Sequence, residues 1–168
     1  RAGIIHRDLK PDNVFLSRGE GSNQEIVKLL DFGISKFTEE AGKLAEVSLT
    51  RSGVAVGTPH FMSPEQVQSS KSLDTRTDIY SLGVIFYRCL SGQLPYQSEG
   101  VAPLLVQILF ERPKPVHEVA PDIDLGLSGI VSRAMARRVE DRFQTAAELR
   151  AAFDAWAMAQ SGVAAAPP

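Results

Sequence analysis

Two clusters of polar residues near the start of the chain constrain its fold more than any other feature. The first is the run HRDLKPDN at residues 6–13, which contains Asp8, Lys10 and Asn13, and the second is DFG, which begins at Asp31. Phosphoryl transfer requires a carboxylate that orients and accepts a proton, a cation for the transferred phosphate, and oxygen ligands for magnesium. The four residues have those chemical types in that order, so the pattern favours this chemistry.

A β-hairpin is predicted between the two clusters. Residues 14–16 and 26–30 are short β-favouring runs, and the polar segment between them contains Gly19 and Gly21. A hairpin would bring Asn13 and Asp31 to neighbouring strand ends, where two ligands of one magnesium ion must converge. We therefore expect the base of the hairpin to carry the metal-binding residues.

The two motifs resemble the catalytic loop and the metal-binding segment of eukaryotic-like protein kinases, H-R-D-L-x-x-x-N and D-F-G. Lys10 followed by proline is similar to the serine/threonine branch of that family. The resemblance implies that Asp8 is the catalytic base, that Lys10 neutralises the transferred phosphate of ATP, and that Asn13 and Asp31 hold Mg²⁺. It also implies that Phe15 lies beneath the adenine ring, with an ordinary place in the hairpin core as the equal alternative.

Residues 34–56 are polar and lack a sustained periodicity, which predicts a long loop. In the resemblance this loop is the activation segment. It closes at GTPHFMSPE, residues 57–65, where Thr58 matches the threonine set against the catalytic aspartate and lysine. The resemblance also implies regulation by phosphate carried on Thr50 or Ser52 and paired with Arg7 and Lys36. A solvated loop rich in hydroxyl groups is the alternative.

A central helix is predicted over residues 75–90, because this stretch is polar at its start and then apolar on nearly every face. Cys89 within it is expected to be a small core residue. Asp78 near the first turn has a simple explanation in helix capping and the helix dipole. The resemblance implies instead that its carboxylate accepts hydrogen bonds from the catalytic-loop backbone. Tyr80, in place of the tryptophan common in eukaryotic members, is similar to bacterial members.

Further helices are predicted over residues 101–110, 127–138 and 145–158, and the prolines at 113, 115 and 121 are expected to prevent regular structure between the first two. Ser63 is expected to cap a short helix, and TAAE at residues 145–148 predicts a capping box. The resemblance implies that Glu65 pairs with Arg142 across the fold. A charged surface turn is the alternative for Arg142.

The resemblance covers residues 4–157 and implies an α+β, mainly α-helical fold. This fold is the C-terminal lobe of a protein kinase, in which a short β-hairpin carries the catalytic and magnesium-binding loops. The family signature also includes a glycine-rich loop, a strand lysine and a helix glutamate, and none of them precedes the catalytic loop within the 168 residues. We expect residues 1–158 to form the C-terminal lobe, with a missing N-terminal lobe as its partner, and residues 159–168 to form an Ala/Pro-rich linker or tail.

Composition excludes some partners. A net charge of -2 and a pI near 5.9 give no general attraction to nucleic acid or anionic membrane. No apolar run approaches the roughly 18 residues of a membrane span, and a single cysteine indicates a reducing compartment. A cytoplasmic location is therefore expected, although in bacterial receptor kinases a linker of this kind leads to a membrane anchor. The three histidines lack metal-ligand spacing, so zinc is not expected.

The predicted function of the intact enzyme is transfer of the γ-phosphoryl group of ATP to a Ser or Thr hydroxyl of a protein, in bacterial signalling. Two alternatives stay open. A non-catalytic kinase-like binding module is disfavoured for the intact protein by its four intact catalytic residues. A small-molecule phosphotransferase is disfavoured because such enzymes do not generally keep GTP at residues 57–59, SPE at 63–65 and the Asp78 helix together.

Overall fold

The computed structural model of the chain describes residues 4–19, 25–31, 59–68, 70 and 73–162. In this part of the chain a two-stranded antiparallel sheet precedes a series of helices. The strands are β1 (Val14–Arg18) and β2 (Glu25–Leu29). The helices are α1 (Pro64–Val67), α2 (Arg76–Ser91), α3 (Val101–Phe110), α4 (Val116–Val119), α5 (Leu125–Ala134) and α6 (Ala146–Gln160). The fold is therefore mainly helical with a small sheet.

The predicted hairpin is confirmed. Its two strands pair in antiparallel register, and the backbone N–H of Leu30 donates a hydrogen bond to the carbonyl of Asn13 at 2.9 Å. A 3-10 turn at Pro11–Asn13 leads directly into β1. These contacts place Asn13, just before the first strand, beside the residue that precedes Asp31.

Both strands of the hairpin expose apolar side chains. Phe15 exposes 54% of its surface, so the alternative that placed this ring in a hairpin core is wrong, because a two-stranded ribbon has no second layer to cover it. The other large exposed apolar residues here are Leu16, Ile26, Val27, Leu29 and Leu30. A cluster of this kind is typical of an interaction surface.

The predicted central helix is confirmed as α2. Ile79 and Val84 in this helix are almost fully buried, and α5 packs directly against it. A Cβ atom on Gly83 would lie 2.7 Å from Cγ of Met135, so only glycine permits this close approach. The helix ends at Gly92, whose φ of 70° is the left-handed conformation that favours glycine.

The prediction for Cys89 is wrong, because this side chain is exposed. The nearest buried residue of α2 is Tyr87, and two positions further along an α-helix the side chain points about 200° away. A helix whose sequence is apolar on nearly every face does not indicate which side meets solvent.

Helix α3 has the predicted bounds, whereas α5 differs from the prediction at both ends. It begins two residues earlier, because the side chain of Asp124 accepts a hydrogen bond from the Leu127 N–H at 3.0 Å and caps the helix. It ends at Ala134 rather than at 138. The carbonyls of Ala136 and Arg137 accept hydrogen bonds from the Arg142 side chain at 2.7 and 3.1 Å instead of continuing the helix.

The proline-rich stretch is more regular than predicted. One helical turn, α4, forms between Pro115 and Pro121. Pro115 occupies the N-cap position, where the missing backbone N–H costs nothing. The expectation that the prolines prevent all regular structure here is therefore wrong.

Helix α6 extends to Gln160, so the first two residues of the predicted tail are helical. Its capping box is half formed. Thr145 Oγ1 accepts a hydrogen bond from the Glu148 N–H at 3.0 Å, but the Glu148 carboxylate accepts from the N–H of Gln144 at 2.7 Å. Near the other end, Trp156 Nε1 donates to Asp124 Oδ2 at 2.8 Å, which joins α6 to the start of α5. None of the helices described is long and apolar enough to cross a membrane.

Candidate active site

Three polar residues of the loop 6–13 lie in mutual contact. Lys10 Nζ lies 3.2 Å from Asp8 Oδ2, and their side chains are 25% and 29% exposed. Asn13 Nδ2 donates hydrogen bonds to the Asp8 carbonyl at 2.8 Å and to Asp8 Oδ2 at 3.3 Å. The Asp8 carboxylate is therefore held between a cation and an amide while staying accessible to a ligand.

The Asn13 amide and the Asp31 carboxylate are the side chains at the base of the hairpin that could hold a metal ion through oxygen atoms. Asn13 is 6% exposed, and because its amide nitrogen faces Asp8, its amide oxygen is the atom left for a cation. Asp31 has a φ of 51°, a conformation that costs a non-glycine residue about 1–3 kcal/mol. The preceding residue is fixed by a 3.0 Å hydrogen bond between the Leu30 carbonyl and His6 Nε2.

This donor set suits Mg²⁺, which prefers oxygen ligands and usually keeps only one or two from the protein. Among the residues that the structure describes, no cluster of three or more His, Cys, Asp or Glu side chains could hold a metal ion. A cation bound by Asn13 and Asp31 would therefore complete its coordination with phosphate oxygens and water.

Asp78 in the first turn of α2 binds the backbone of the loop 6–13. Its Oδ2 accepts a hydrogen bond from the His6 N–H at 2.8 Å, and its Oδ1 accepts one from the Arg7 N–H at 2.9 Å. Burial raises the pKa of Asp78, although these two hydrogen bonds oppose the rise. Arg7 has a φ of 64°, so the carboxylate holds a backbone conformation that non-glycine residues rarely adopt.

Helix α1 contacts the same loop through a residue that the sequence analysis missed. Ser63 and Gln66 form a complete capping box at the start of α1. The Gln66 side chain also donates from Nε2 to the Arg7 carbonyl at 2.8 Å. The S-x-x-Q pattern could have revealed the capping box, but no local pattern indicates the contact with Arg7.

Glu65 and Arg142 form the expected pair. Arg142 Nη1 donates to Glu65 Oε1 at 2.7 Å, and Nη2 donates to Oε2 at 2.8 Å. The Arg142 side chain is fully buried and that of Glu65 is 13% exposed. The Thr77 hydroxyl donates to Glu65 Oε1 at 2.9 Å, so the pair also fixes the start of α2. The alternative of a charged surface turn for Arg142 is wrong.

The charge on Glu65 is favoured despite its burial. Burial alone would raise the pKa of this carboxyl, but the hydrogen bonds and the positive charge of Arg142, with the Thr77 hydroxyl, leave the pKa below its ordinary value. Glu65 therefore carries its charge at neutral pH, as a bidentate ion pair requires.

The chain also matches a known protein family whose members contain these motifs. The model of the protein kinase domain matches residues 1–152. This chain belongs to the protein kinase domain family.

Several kinases are similar to the chain. It is 44% identical to the serine/threonine-protein kinase Pkn1 of Myxococcus xanthus over 151 residues, which are 90% of this chain and 21% of Pkn1. It is 42% identical to pkn2 of the same organism over 168 residues, 99% of this chain and 19% of pkn2. PknB of Mycolicibacterium smegmatis is 36% identical over 149 residues, 89% of this chain and 22% of PknB. The chain spans about a fifth of the length of these relatives.

Some kinase residues predicted from the sequence have no structural description here. Thr58, Lys36, Thr50 and Ser52 lie outside the described residues. Among the kinase motif residues that the structure describes, Asp8, Lys10 and Asn13 contact one another, and Asp78 binds the backbone of the same loop. Glu65 and Arg142 pair away from the loop, at the start of α2, and the Phe15 side chain is exposed on β1.

Proposed function

We propose that this chain is the C-terminal lobe of a bacterial-type serine/threonine protein kinase. The reaction is transfer of the γ-phosphoryl group of ATP to a Ser or Thr hydroxyl of a protein substrate. The observation that carries the proposal is the contact of Asp8 with both Lys10 and Asn13, at 3.2 and 3.3 Å. A carboxylate, a cation and an amide at one accessible point are the groups that this transfer needs.

Asp8 orients the acceptor hydroxyl and takes its proton in this proposal. The Lys10 ammonium lies beside the carboxylate, so it can balance negative charge on the transferred phosphate where that group meets the acceptor. Asn13 has two roles in the proposed transfer. Its amide nitrogen orients the Asp8 carboxylate, and its amide oxygen would bind the metal ion. The charges are positioned before the substrate arrives, which lowers the cost of reorganisation.

Asn13 and Asp31 are the residues that would hold Mg²⁺ with ATP. Bound magnesium neutralises charge on the phosphates. The chain's own contribution is the hairpin, since the hydrogen bond from Leu30 N–H to the Asn13 carbonyl keeps the two ligands at adjacent strand ends. Thr58 would face Asp8 and Lys10 from the activation segment.

The missing partner in this proposal is an N-terminal kinase lobe that covers the nucleotide. The exposed apolar side chains of the hairpin support it, because Phe15, Leu16 and Val27 each leave more than half of their surface uncovered. Phe15 would then lie beneath the adenine ring. Apolar surface of this kind is stabilised when a second layer packs on it.

Activity of the full-length protein tests the proposal. Purified protein, labelled ATP, magnesium and a generic basic protein substrate are expected to give phosphate on Ser or Thr. Asp8→Asn is expected to abolish it, because the amide cannot accept the proton. Label that appears on a small molecule and never on protein would favour a small-molecule phosphotransferase. A wild-type protein that binds ATP and transfers nothing would favour the non-catalytic module.

The cellular location that we propose is cytoplasmic, for the lobe itself. The single cysteine, Cys89, supports a reducing compartment. A membrane anchor after the C-terminal linker of the parent protein is compatible with this location, because the lobe would then lie on the cytoplasmic side of the membrane.

A further inference from the structure

We propose that Gln66 is a positioning residue for the catalytic aspartate. It acts by holding the carbonyl of Arg7, the residue immediately before Asp8. The inference rests on the proposed function, because it assumes that Asp8 takes part in phosphoryl transfer.

The Arg7 residue needs such support. Its φ of 64° lies in the left-handed region, which the Cβ atom of a non-glycine residue disfavours. The conformation is held from both sides. The Arg7 N–H donates to Asp78 Oδ1 at 2.9 Å, and the Arg7 carbonyl accepts from Gln66 Nε2 at 2.8 Å. Relaxation of this backbone to an ordinary conformation would break both hydrogen bonds and rotate the Asp8 side chain away from Lys10.

The Gln66 amide is itself fixed, which makes it suitable for this role. Its Oε1 accepts a hydrogen bond from the Ser63 N–H at 3.0 Å, and the backbone N–H of Gln66 donates to Ser63 Oγ at 3.4 Å. The capping box therefore uses the amide oxygen and leaves the amide nitrogen for Arg7. Glutamate at this position would serve the capping box equally well. Only an amide can also donate to a carbonyl at neutral pH.

The contact joins residues that are 59 positions apart. One end is the short helix α1 that closes the activation segment of the proposed kinase, and the other is the loop that carries Asp8. Displacement of α1 would therefore release the Arg7 carbonyl and loosen the catalytic aspartate. Gln66 therefore couples the position of α1 to that of the loop carrying Asp8 through one amide group.

The test is Gln66→Glu in the full-length protein. The introduced carboxylate keeps the acceptor for the Ser63 N–H, loses the donor for Arg7, and sets two oxygen atoms against each other. We expect kcat at neutral pH to fall roughly 10- to 100-fold, since small misplacement of a catalytic group has effects of that size. The KM for ATP and the denaturation midpoint are expected to stay close to those of the wild type.

The pH profile separates positioning from a general structural defect. As the pH falls, the introduced carboxyl takes up a proton and becomes a donor to the Arg7 carbonyl, so kcat relative to the wild type should recover. Facing an oxygen atom raises the pKa of such a carboxyl. The titratable or charged neighbours are His6, Arg7 and Asp8 in the loop, Asp78 on α2, and the Glu65 and Arg142 pair. Gln66→Leu keeps all of them and adds no titrating group, so its pH profile is the reference for their own titration.

Two further variants complete the experiment. Gln66→Leu removes both the donor to the Arg7 carbonyl and the acceptor for the Ser63 N–H without adding a titrating group, so its kcat should be low at every pH. Thr145→Ala removes the N-cap of α6, which lies in another part of the sequence, and its kcat should equal that of the wild type. Should Gln66→Glu not fold, a kcat of Gln66→Leu within twofold of the wild type would overturn the role of Gln66, and a low kcat with an unchanged denaturation midpoint would support it.

The outcomes are distinct. A kcat within twofold of the wild type for both Gln66 variants, or an equal loss at every pH for Gln66→Glu, would overturn the role of Gln66 while the proposed function stands. A wild-type protein without transfer activity sensitive to Asp8→Asn would overturn the proposed function, and the role of Gln66 with it.

Discussion

Arg142 donates two parallel hydrogen bonds to Glu65 across 77 positions of the sequence, at 2.7 and 2.8 Å. The guanidinium donates further hydrogen bonds to the carbonyls of Arg76, Ala136 and Arg137. One fully buried side chain therefore joins the first turn of α1, the start of α2 and the segment between α5 and α6.

Removal of either partner is expected to destabilise the fold strongly. Glu65→Ala and Arg142→Ala should each lower the free energy of unfolding by about 3–5 kcal/mol, because the remaining charge is buried without a partner. The double variant should lose much less than the sum, as contacting residues do in a double-mutant cycle. Denaturant titration measures all three.

A matched control for this cycle is the exposed pair of Arg150 and Asp154, which lie 3.2 Å apart. Arg150→Ala should cost less than about 1 kcal/mol, as exposed ion pairs do. Additive losses for Glu65 and Arg142, or single losses as small as that of the control, would contradict the prediction.

The same pair predicts a loss of stability in acid. The pKa of Glu65 lies below its ordinary value of 4.5 in the folded protein. The stability that this lowered pKa provides is fully present above pH 4.5, and it is lost as the pH falls through the folded-state value below it. The difference in unfolding free energy between the wild type and Glu65→Gln should therefore shrink as the pH falls from neutral to below 4.5. A constant difference would mean that the charge on Glu65 contributes nothing.

Gly83→Ala is expected to destabilise the chain. The added Cβ would lie 2.7 Å from Met135 Cγ and 3.0 Å from Ala134 Cβ. Overpacking of this kind costs about 1–3 kcal/mol, and the gain in helix propensity returns at most about 1 kcal/mol. The control is Gly129→Ala in α5, where a Cβ has no neighbour within 4 Å and the propensity gain should raise stability. Thermal denaturation should move the two variants in opposite directions.

The 168-residue chain alone is expected to show negligible kinase turnover. It contains no glycine-rich loop before the catalytic loop, so in the proposed kinase half of the phosphate-binding groups are absent and the others stay open to water. Purified chain, labelled ATP, magnesium and a basic protein substrate give the measurement. Robust incorporation that Asp8→Asn abolishes would show that the lobe needs no partner.

Thr50, Ser52 or both are expected to carry phosphate after the full-length protein is incubated with ATP. Phosphate there would form charge-assisted hydrogen bonds with Arg7 and Lys36 and order the activation segment. Mass spectrometry locates the modification, and the Asp8→Asn protein is the control without autophosphorylation. Phosphate found elsewhere, together with full activity of Thr50→Ala/Ser52→Ala, would exclude this form of regulation.

The sequence predicted features that depend on short-range patterns. The hairpin follows from two β-favouring runs around a glycine-containing turn, and the bounds of α3 follow from an apolar helical stretch. The contact between Glu65 and Arg142 was implied by the resemblance to protein kinases. It could not predict which side of α2 faces solvent at Cys89, because every face of that helix is apolar. The early start of α5 depends on the side chain of Asp124, and the role of Gln66 depends on a contact distant in sequence. The Asp124 cap is a local signal that the helix prediction overlooked, whereas only tertiary geometry brings Gln66 to the Arg7 carbonyl.

Trp156 is the only tryptophan of the chain. Its indole N–H donates a hydrogen bond to Asp124, the N-cap residue of α5, at a junction where α6 contacts the start of α5. Intrinsic fluorescence therefore reports the environment of that junction. The hairpin and the loop 6–13 contain no tryptophan, so local opening there would leave the emission unchanged. A probe placed in β1 would make the two ends of the molecule separately visible in one unfolding experiment.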